Sequence, residues 1–234
     1  MVYRFWVQEH TAKIRERLKH VAFVSAFSQK IIGPFLPSTT HQYVLQNPVD
    51  PQREERVDVT QNKRFTYVGR LVPEKDPVTL ALAARIANVP VTFVGEGPER
   101  EAIMRENPGS EITGWVRPEQ VHEKLRQSRA FVIPSIWYEC SPLVTVEALS
   151  HGLPVICSDT NASKESVEDG VTGFHFEAGD ADSLAETLAK LSNPDTASKM
   201  SVAAYTRFWD NPPSTKRHID ELEASYTKLI ATYK

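Results

Sequence analysis

Two glutamates with seven residues between them, Glu139 and Glu147, bracket a Ser141-Pro142 pair in the stretch Ser135-Ile136-Trp137-Tyr138-Glu139-Cys140-Ser141-Pro142-Leu143-Val144-Thr145-Val146-Glu147-Ala148-Leu149. Serine followed by proline signals a helix start, with the hydroxyl as cap and the ring at the first helical position. Proline has no N–H, so Leu143 and Val144 supply the free amides of that helix end, where anions and phosphates bind. Glu139 falls in the loop before the cap. Glu147 falls among Val144, Val146, Ala148 and Leu149, and a carboxylate on so apolar a helix needs a partner. Solvent or an arginine elsewhere in the core would serve. Ligand hydroxyls on either side of a helix-bound phosphate would also serve, and a sugar nucleotide has those parts in that order.

The elements that must position these groups follow a regular pattern. Phe131-Val132-Ile133 reads as a buried strand before the loop, and Gly152 with Pro154 ends the helix about three turns on. Upstream, Phe65–Val68 is a strand, Asp76-Pro77 caps a helix over 78–87, and Val91–Val94 is the next strand. Gly95-Glu96-Gly97-Pro98 then leads to a helix ending at Glu106. Residues 112–116 read as a third strand, Pro118 opens a helix to Gln127, and 153–157 and 173–176 are further strands. A short helix is expected near 163–167 and a longer one over 181–191. Proline recurs at the expected first helical position: Pro77, Pro98, Pro118, Pro142 and Pro194. Strands alternating with helices of about ten residues imply right-handed βαβ units. The fold class is therefore α/β, a doubly wound, Rossmann-like parallel sheet whose ligand sits at the carboxyl ends of the strands. Arg70 and Lys75 follow the first strand and could reach the phosphates of that ligand.

Glu139 and Glu147, followed by Ala148-Leu149-Ser150-His151-Gly152-Leu153-Pro154-Val155-Ile156, resemble the signature of retaining glycosyltransferases of the family 4 type. The resemblance extends through nearly all of residues 42–200. Gly69-Arg70-Leu71-x-x-x-Lys75 is similar to the family's Arg and Lys pair, which implies that Arg70 and Lys75 neutralise the departing diphosphate. Glu147 would hold the ribose hydroxyls and Glu139 the transferred sugar. Ser141, Leu143 and Val144 would lie at the phosphates, and Gly114-Trp115-Val116 would hold the base through Val116. Asn47-Pro48-Val49-Asp50 resembles the family's interdomain hinge, and Asp169-Gly170-Val171-Thr172-Gly173 its structural turn. Glu165 matches a glutamate of the Gly-Gly-x-x-Glu pattern, but the diglycine reads Asn161-Ala162 here. The resemblance implies the C-terminal, donor-binding half of a GT-B fold. Its substrates would be a nucleotide-diphospho-sugar and a glycan or glycolipid acceptor, and no metal or other cofactor is required.

Residues 1–50 then read as the end of an N-terminal acceptor domain plus hinge, 51–208 as the donor domain, and 209–234 as a helix crossing back. Only about fifty residues precede the donor domain. That supports a rival expectation: a non-catalytic sugar-nucleotide-binding module, or one subunit of a split transferase whose acceptor domain is missing. A Rossmann dehydrogenase is excluded, because no Gly-x-Gly-x-x-Gly follows the first strand. In 234 residues, 41% hydrophobic and 24% charged, the net charge is −3, which offers nucleic acid nothing. No apolar run approaches the roughly 20 residues a bilayer needs, and the N-terminus lacks a signal peptide's core. Cys140 and Cys157 have no metal-like spacing, and two free thiols suit a reducing cytoplasm. The seven histidines are irregularly spaced, and His151 near a helix C-terminus is expected to gain from the dipole. Lys13, Arg15, Arg17 and Lys19 give a helix over 11–20 a basic face. Such a face is usually just solvated, and attraction to the inner membrane surface is the other reading.

Overall fold

The computed structural model describes residues 14–232. The chain divides into two compact units, Val49–Pro212 and a second one formed by residues up to Pro48 together with those from Pro213 onward.

The larger unit is built on a six-stranded sheet in the order β5-β4-β3-β6-β7-β8, every pair parallel. Its strands are β3 (Arg64–Val68), β4 (Val91–Val94), β5 (Glu111–Ile112), β6 (Ser128–Ile133), β7 (Val155–Ser158) and β8 (Gly173–Phe176). β4, β6 and β7 are buried along their whole length. They read as unbroken runs rather than alternations because helices cover both faces of a parallel sheet. Those helices are α3 (Pro77–Ile86), α4 (Arg100–Glu106), α5 (Pro118–Arg126), α6 (Leu143–Ser150), α7 (Ala181–Ser192) and α8 (Pro194–Asp210). In α7, Leu184, Leu188 and Leu191 return every three or four residues to one buried stripe, and the Asp180 carboxylate caps Asp182 and Ser183 N–H. The sheet is the doubly wound α/β sheet that the strand–helix alternation demands. Its order reverses between β3 and β6, so a crevice opens beyond their carboxyl ends.

The smaller unit holds α1 (Ile14–Arg17), β1 (His20–Phe23), α2 (Ala26–Ile32), β2 (His41–Val44) and α9 (Thr215–Thr232). β1 and β2 pair in parallel, His20 opposite His41 and Phe23 opposite Val44, with α2 as their crossover. A reciprocal capping box starts α2: Ser28 N–H donates to Ser25 Oγ at 3.0 Å, and Ser25 N–H to Ser28 Oγ at 3.3 Å. His218 of α9 places Nδ1 2.8 Å from the Gln46 carbonyl. The basic helix expected over 11–20 is described only as Ile14–Arg17, and residues 11–13 lie outside the described part.

Several boundaries differ from the sequence expectation. β5 stops at Ile112 rather than 116, because Gly114 turns the chain at φ 74° and its neighbourhood bridges antiparallel to Gly95. Pro98 does not open a helix: α4 begins at Arg100, with Glu99 at the cap. The short helix near 163–167 is a 3₁₀ turn over Ala162–Glu165. Pro77, Pro118 and Pro194 do stand at the first helical position.

Candidate functional site

The loop leaving β3 is held from below. Two glycines of the neighbouring loop allow this: a Cβ on Gly95 would collide with the Gly69 carbonyl, and one on Gly97 with that of Leu71. Leu71, fully buried, donates to Glu96 O at 2.9 Å and accepts from Glu99 N–H at 3.0 Å. Tyr67 Oη, on β3, donates to Arg70 O at 2.7 Å; burial pushes this phenol's pKa well above its ordinary value, with Glu139 nearby adding to the rise. Gly95-Glu96-Gly97-Pro98 is thus the brace of the Arg70 loop. Arg70 itself is exposed, with Nη2 3.5 Å from Glu74 Oε1. A 3₁₀ turn over Pro73–Lys75 then swings Lys75 toward the crevice. Asp76, in the left-handed region at φ 47°, passes the chain into α3. Burial holds its carboxyl above the usual carboxylate range, with Thr79 opposing.

The loop leaving β6 meets this one. Trp137 N–H donates to Glu74 O at 3.3 Å, and Lys75 Nζ makes a short charge-assisted hydrogen bond to Glu139 Oε1. Ser135 Oγ donates to the same oxygen at 2.8 Å. Glu139 Oε1 is therefore doubly served, whereas Oε2 has no partner among the described residues. The side chains of Lys75 and Glu139 are 24% and 16% exposed, so this pair is better shielded than the surface pairs that contribute little. Lys75 and Glu139 lie 64 residues apart in sequence, and only the adjacency of β3 and β6 brings them together.

The helix start needs a correction. Ser141 is not the cap: α6 begins at Leu143, and Pro142, extended at φ −75° and ψ 96°, is its N-cap without a side-chain bond. Proline's fixed φ suits either position, and here its ψ keeps it outside the helix. Thr145 N–H bonds back to Pro142 O at 3.1 Å, which leaves Leu143 and Val144 as the first two amides of the helix. Leu143 is exposed and Val144 half-buried. Glu147, one turn on, is half-buried, and its carboxylate has no partner among the described residues. Val116 lies apart from these groups, on the loop beyond edge strand β5. Three strand spacings separate β5 from β6, about 14 Å. His151 stands where expected, as the C-cap of α6, but its surroundings outweigh the dipole. It is buried beside His122, with Nε2 3.3 Å from His122 Nδ1, and burial first, then His122 and Arg126, lowers its pKa against any dipole gain.

Sequence reasoning missed the second layer. Ser135, Ser158, Asn161, Ser163 and Thr145 are each no more than 1% exposed and are joined by hydrogen bonds behind Glu139. The one available signal was Asn161-Ala162 standing where the diglycine pattern would be.

The profile of the family described as "Glycosyl transferases group 1" matches residues 49–207. Over 180 residues the chain is 29% identical to the UDP-Gal:alpha-D-GlcNAc-diphosphoundecaprenol alpha-1,3-galactosyltransferase of Escherichia coli, covering 71% of this chain and 46% of that protein. Over 95 residues it is 40% identical to the putative teichuronic acid biosynthesis glycosyltransferase TuaC of Bacillus subtilis, covering 40% of this chain and 24% of that one. Among solved structures, sucrose-phosphate synthase from Thermosynechococcus elongatus superposes with a TM-score of 0.79 at 20% identity, covering 93% of this chain and 61% of that chain. Anabaena HepE in complex with UDP and glucose gives 0.75 at 17% identity, covering 90% and 63%. The fold is that of GT-B glycosyltransferases. The chain spans about half the length of the curated relatives with the longest matches. A family profile that covers most of the chain, on a sheet whose switch point gathers Lys75, Glu139 and the start of α6, has one meaning: the chain belongs to the group 1 glycosyl transferases.

Proposed function

We propose that this chain is the donor-binding part of a family 4-type glycosyltransferase, moving a sugar from a nucleotide-diphospho-sugar to a glycan or glycolipid with retention of configuration. The observation that carries this reading is the convergence, at the switch point, of the Lys75–Glu139 pair with the first turn of α6. The diphosphate takes the Leu143 and Val144 amides beside Ser141, and Arg70 and Lys75 neutralise the charge that grows as the sugar bond breaks. Glu139, with Oε2 open, accepts from hydroxyls of the transferred sugar. Glu147 accepts from the ribose, and Val116 flanks the base. Cations and amides meet the leaving group's charge, so no divalent metal is required. The leaving phosphate itself takes the acceptor's proton, since no separate protein base stands out in the sequence.

The Escherichia coli relative is named for a lipid-linked diphosphate acceptor and the Bacillus subtilis one for teichuronic acid assembly. These names support a role in polysaccharide or glycoconjugate assembly; our reading places it at the cytoplasmic face of a membrane, with peripheral contact. No helix among the described residues is long and apolar enough to cross one. The test is calorimetry with UDP, GDP and ADP in the presence of a chelator. At least one should bind, and Arg70→Ala should weaken it by about 1.5–3 kcal/mol, the scale of a charge-assisted hydrogen bond. Absence of binding by all three at millimolar concentration would refute the reading.

A further inference from the structure

The buried network behind the crevice has a direction. Asn161 sits fully buried just after β7, and its amide orientation follows from its partners: Oδ1 accepts from Ser163 N–H at 2.9 Å, so Nδ2 donates to Ser158 Oγ at 2.8 Å. With its oxygen occupied as acceptor, the Ser158 hydroxyl turns its hydrogen to the Ser135 carbonyl at 2.5 Å. Thr160 Oγ1 donates to the same carbonyl at 3.1 Å. Ser135 is thereby fixed through its backbone, and its own hydroxyl is the one that holds Glu139 Oε1.

The same short segment reaches the helix as well. Ala162 N–H donates to the Glu139 carbonyl at 2.8 Å, and Ser163 Oγ lies 2.8 Å from Thr145 Oγ1 in the first turn of α6. Asn161 organises both arms, one through Ser158 and one through Ser163. Such a network is costly when half-satisfied and rigid when complete, and each of its members is satisfied here. A diglycine at 161–162 would contribute no side chain to either arm.

We propose that Asn161 is a positioning residue which sets the Glu139 carboxylate against the first turn of α6, through Ser158–Ser135 on one arm and Ser163–Thr145 on the other. This rests on the donor-site reading above. The two arms separate two ligand parts: the first serves the sugar-facing carboxylate, the second the phosphate-facing amides.

The experiment compares Ser158→Ala, Ser163→Ala and Asn161→Ala with the wild-type chain by calorimetry. The probes are the diphosphate that binds best of UDP, GDP and ADP, and the tightest of its glucosyl, galactosyl, mannosyl and N-acetylglucosaminyl esters. Ser158→Ala should raise the ratio of ester Kd to diphosphate Kd by about three- to tenfold, the scale of one neutral hydrogen bond, with the diphosphate Kd nearly unchanged. Ser163→Ala should weaken diphosphate and ester together and leave the ratio in place. Asn161→Ala should do both, and the serine variants keep the test decisive if it does not fold. General loosening of the fold would move both serine variants alike, so equal effects overturn the inference, as does no effect in either. Glu139→Gln separates the two levels. If it shifts the ratio and Ser158→Ala does not, the positioning role alone fails. If Glu139→Gln leaves the ratio unchanged, the sugar-binding role of Glu139 fails and the inference with it.

Discussion

Three carboxylates and a histidine show how environment assigns different work to similar groups. Glu139 is tied to Lys75 and Ser135 by one oxygen, Glu147 is half-buried and carries no partner among the described residues, and Glu111 is a surface anchor. The Lys124 ammonium and Thr92 hydroxyl bonded to Glu111 hold its carboxyl below the usual range. If Glu147 serves the nucleotide and Glu139 the sugar, Glu147→Ala should weaken the plain diphosphate and the sugar ester alike, and Glu139→Ala only the ester. Equal losses for both variants with both ligands, measured by calorimetry, would end that division. His151 makes a prediction about pH. Its pKa in the fold lies below the ordinary 6.5, so above that pH the ring is neutral in folded and unfolded chains alike. As pH falls below 6.5 the unfolded chain takes the proton first, and stability drops until the pH passes the folded value. Urea unfolding between pH 7.5 and about 5 should show this loss, and His151→Gln should flatten it; parallel pH profiles would show that the ring plays no part.

At the scale of elements, the buried runs announced themselves. Val91–Val94, Phe131–Ile133 and residues 153–157 read as strands of a covered parallel sheet, the last of them starting only at Val155, and Pro77, Pro118 and Pro194 opened helices where expected. Ser141-Pro142 misled because proline's fixed φ, which favours the first helical position, is also compatible with the cap, and ψ, which composition does not reveal, decides between them. The Lys75–Glu139 pair was not legible, since a separation of 64 residues becomes a contact only once β3 and β6 are neighbours. Nor was the Asn161 network: serines, threonines and an asparagine at strand ends look like ordinary turn residues until their partners are known. Gly95-Glu96-Gly97-Pro98, which in the sequence is only the link from one strand to the next helix, is a brace in the fold. Gly97→Ala should accordingly destabilise by more than about 1 kcal/mol, because its new methyl meets the Leu71 carbonyl at φ 156°. Gly109→Ala, whose Cβ would meet only Asn107 Oδ1 at 3.4 Å, is the control. Equal melting temperatures for the two variants would remove the brace.

The whole molecule separates into a large α/β unit and a smaller one, and every residue assigned to the donor belongs to the former. Residues 49–212 expressed alone should therefore melt cooperatively and bind the diphosphate within about twofold of the full chain, a change below half a kcal/mol. A much weaker affinity, with the fold intact by circular dichroism, would mean that the smaller unit supplies part of the site. The two ion pairs of the crevice also bear on how fast a ligand arrives. Arg70 faces Glu74 and Lys75 faces Glu139, so these four charges sum to zero, on a chain whose own net charge is −3. A diphosphate approaching from beyond a Debye length feels no cationic funnel, and attraction begins only when it is close enough to compete with a glutamate for its lysine. Stopped-flow association rates should then be nearly flat with ionic strength, while dissociation carries the salt dependence. The crevice would capture its ligand by exchange of partners at contact rather than by recruitment from a distance.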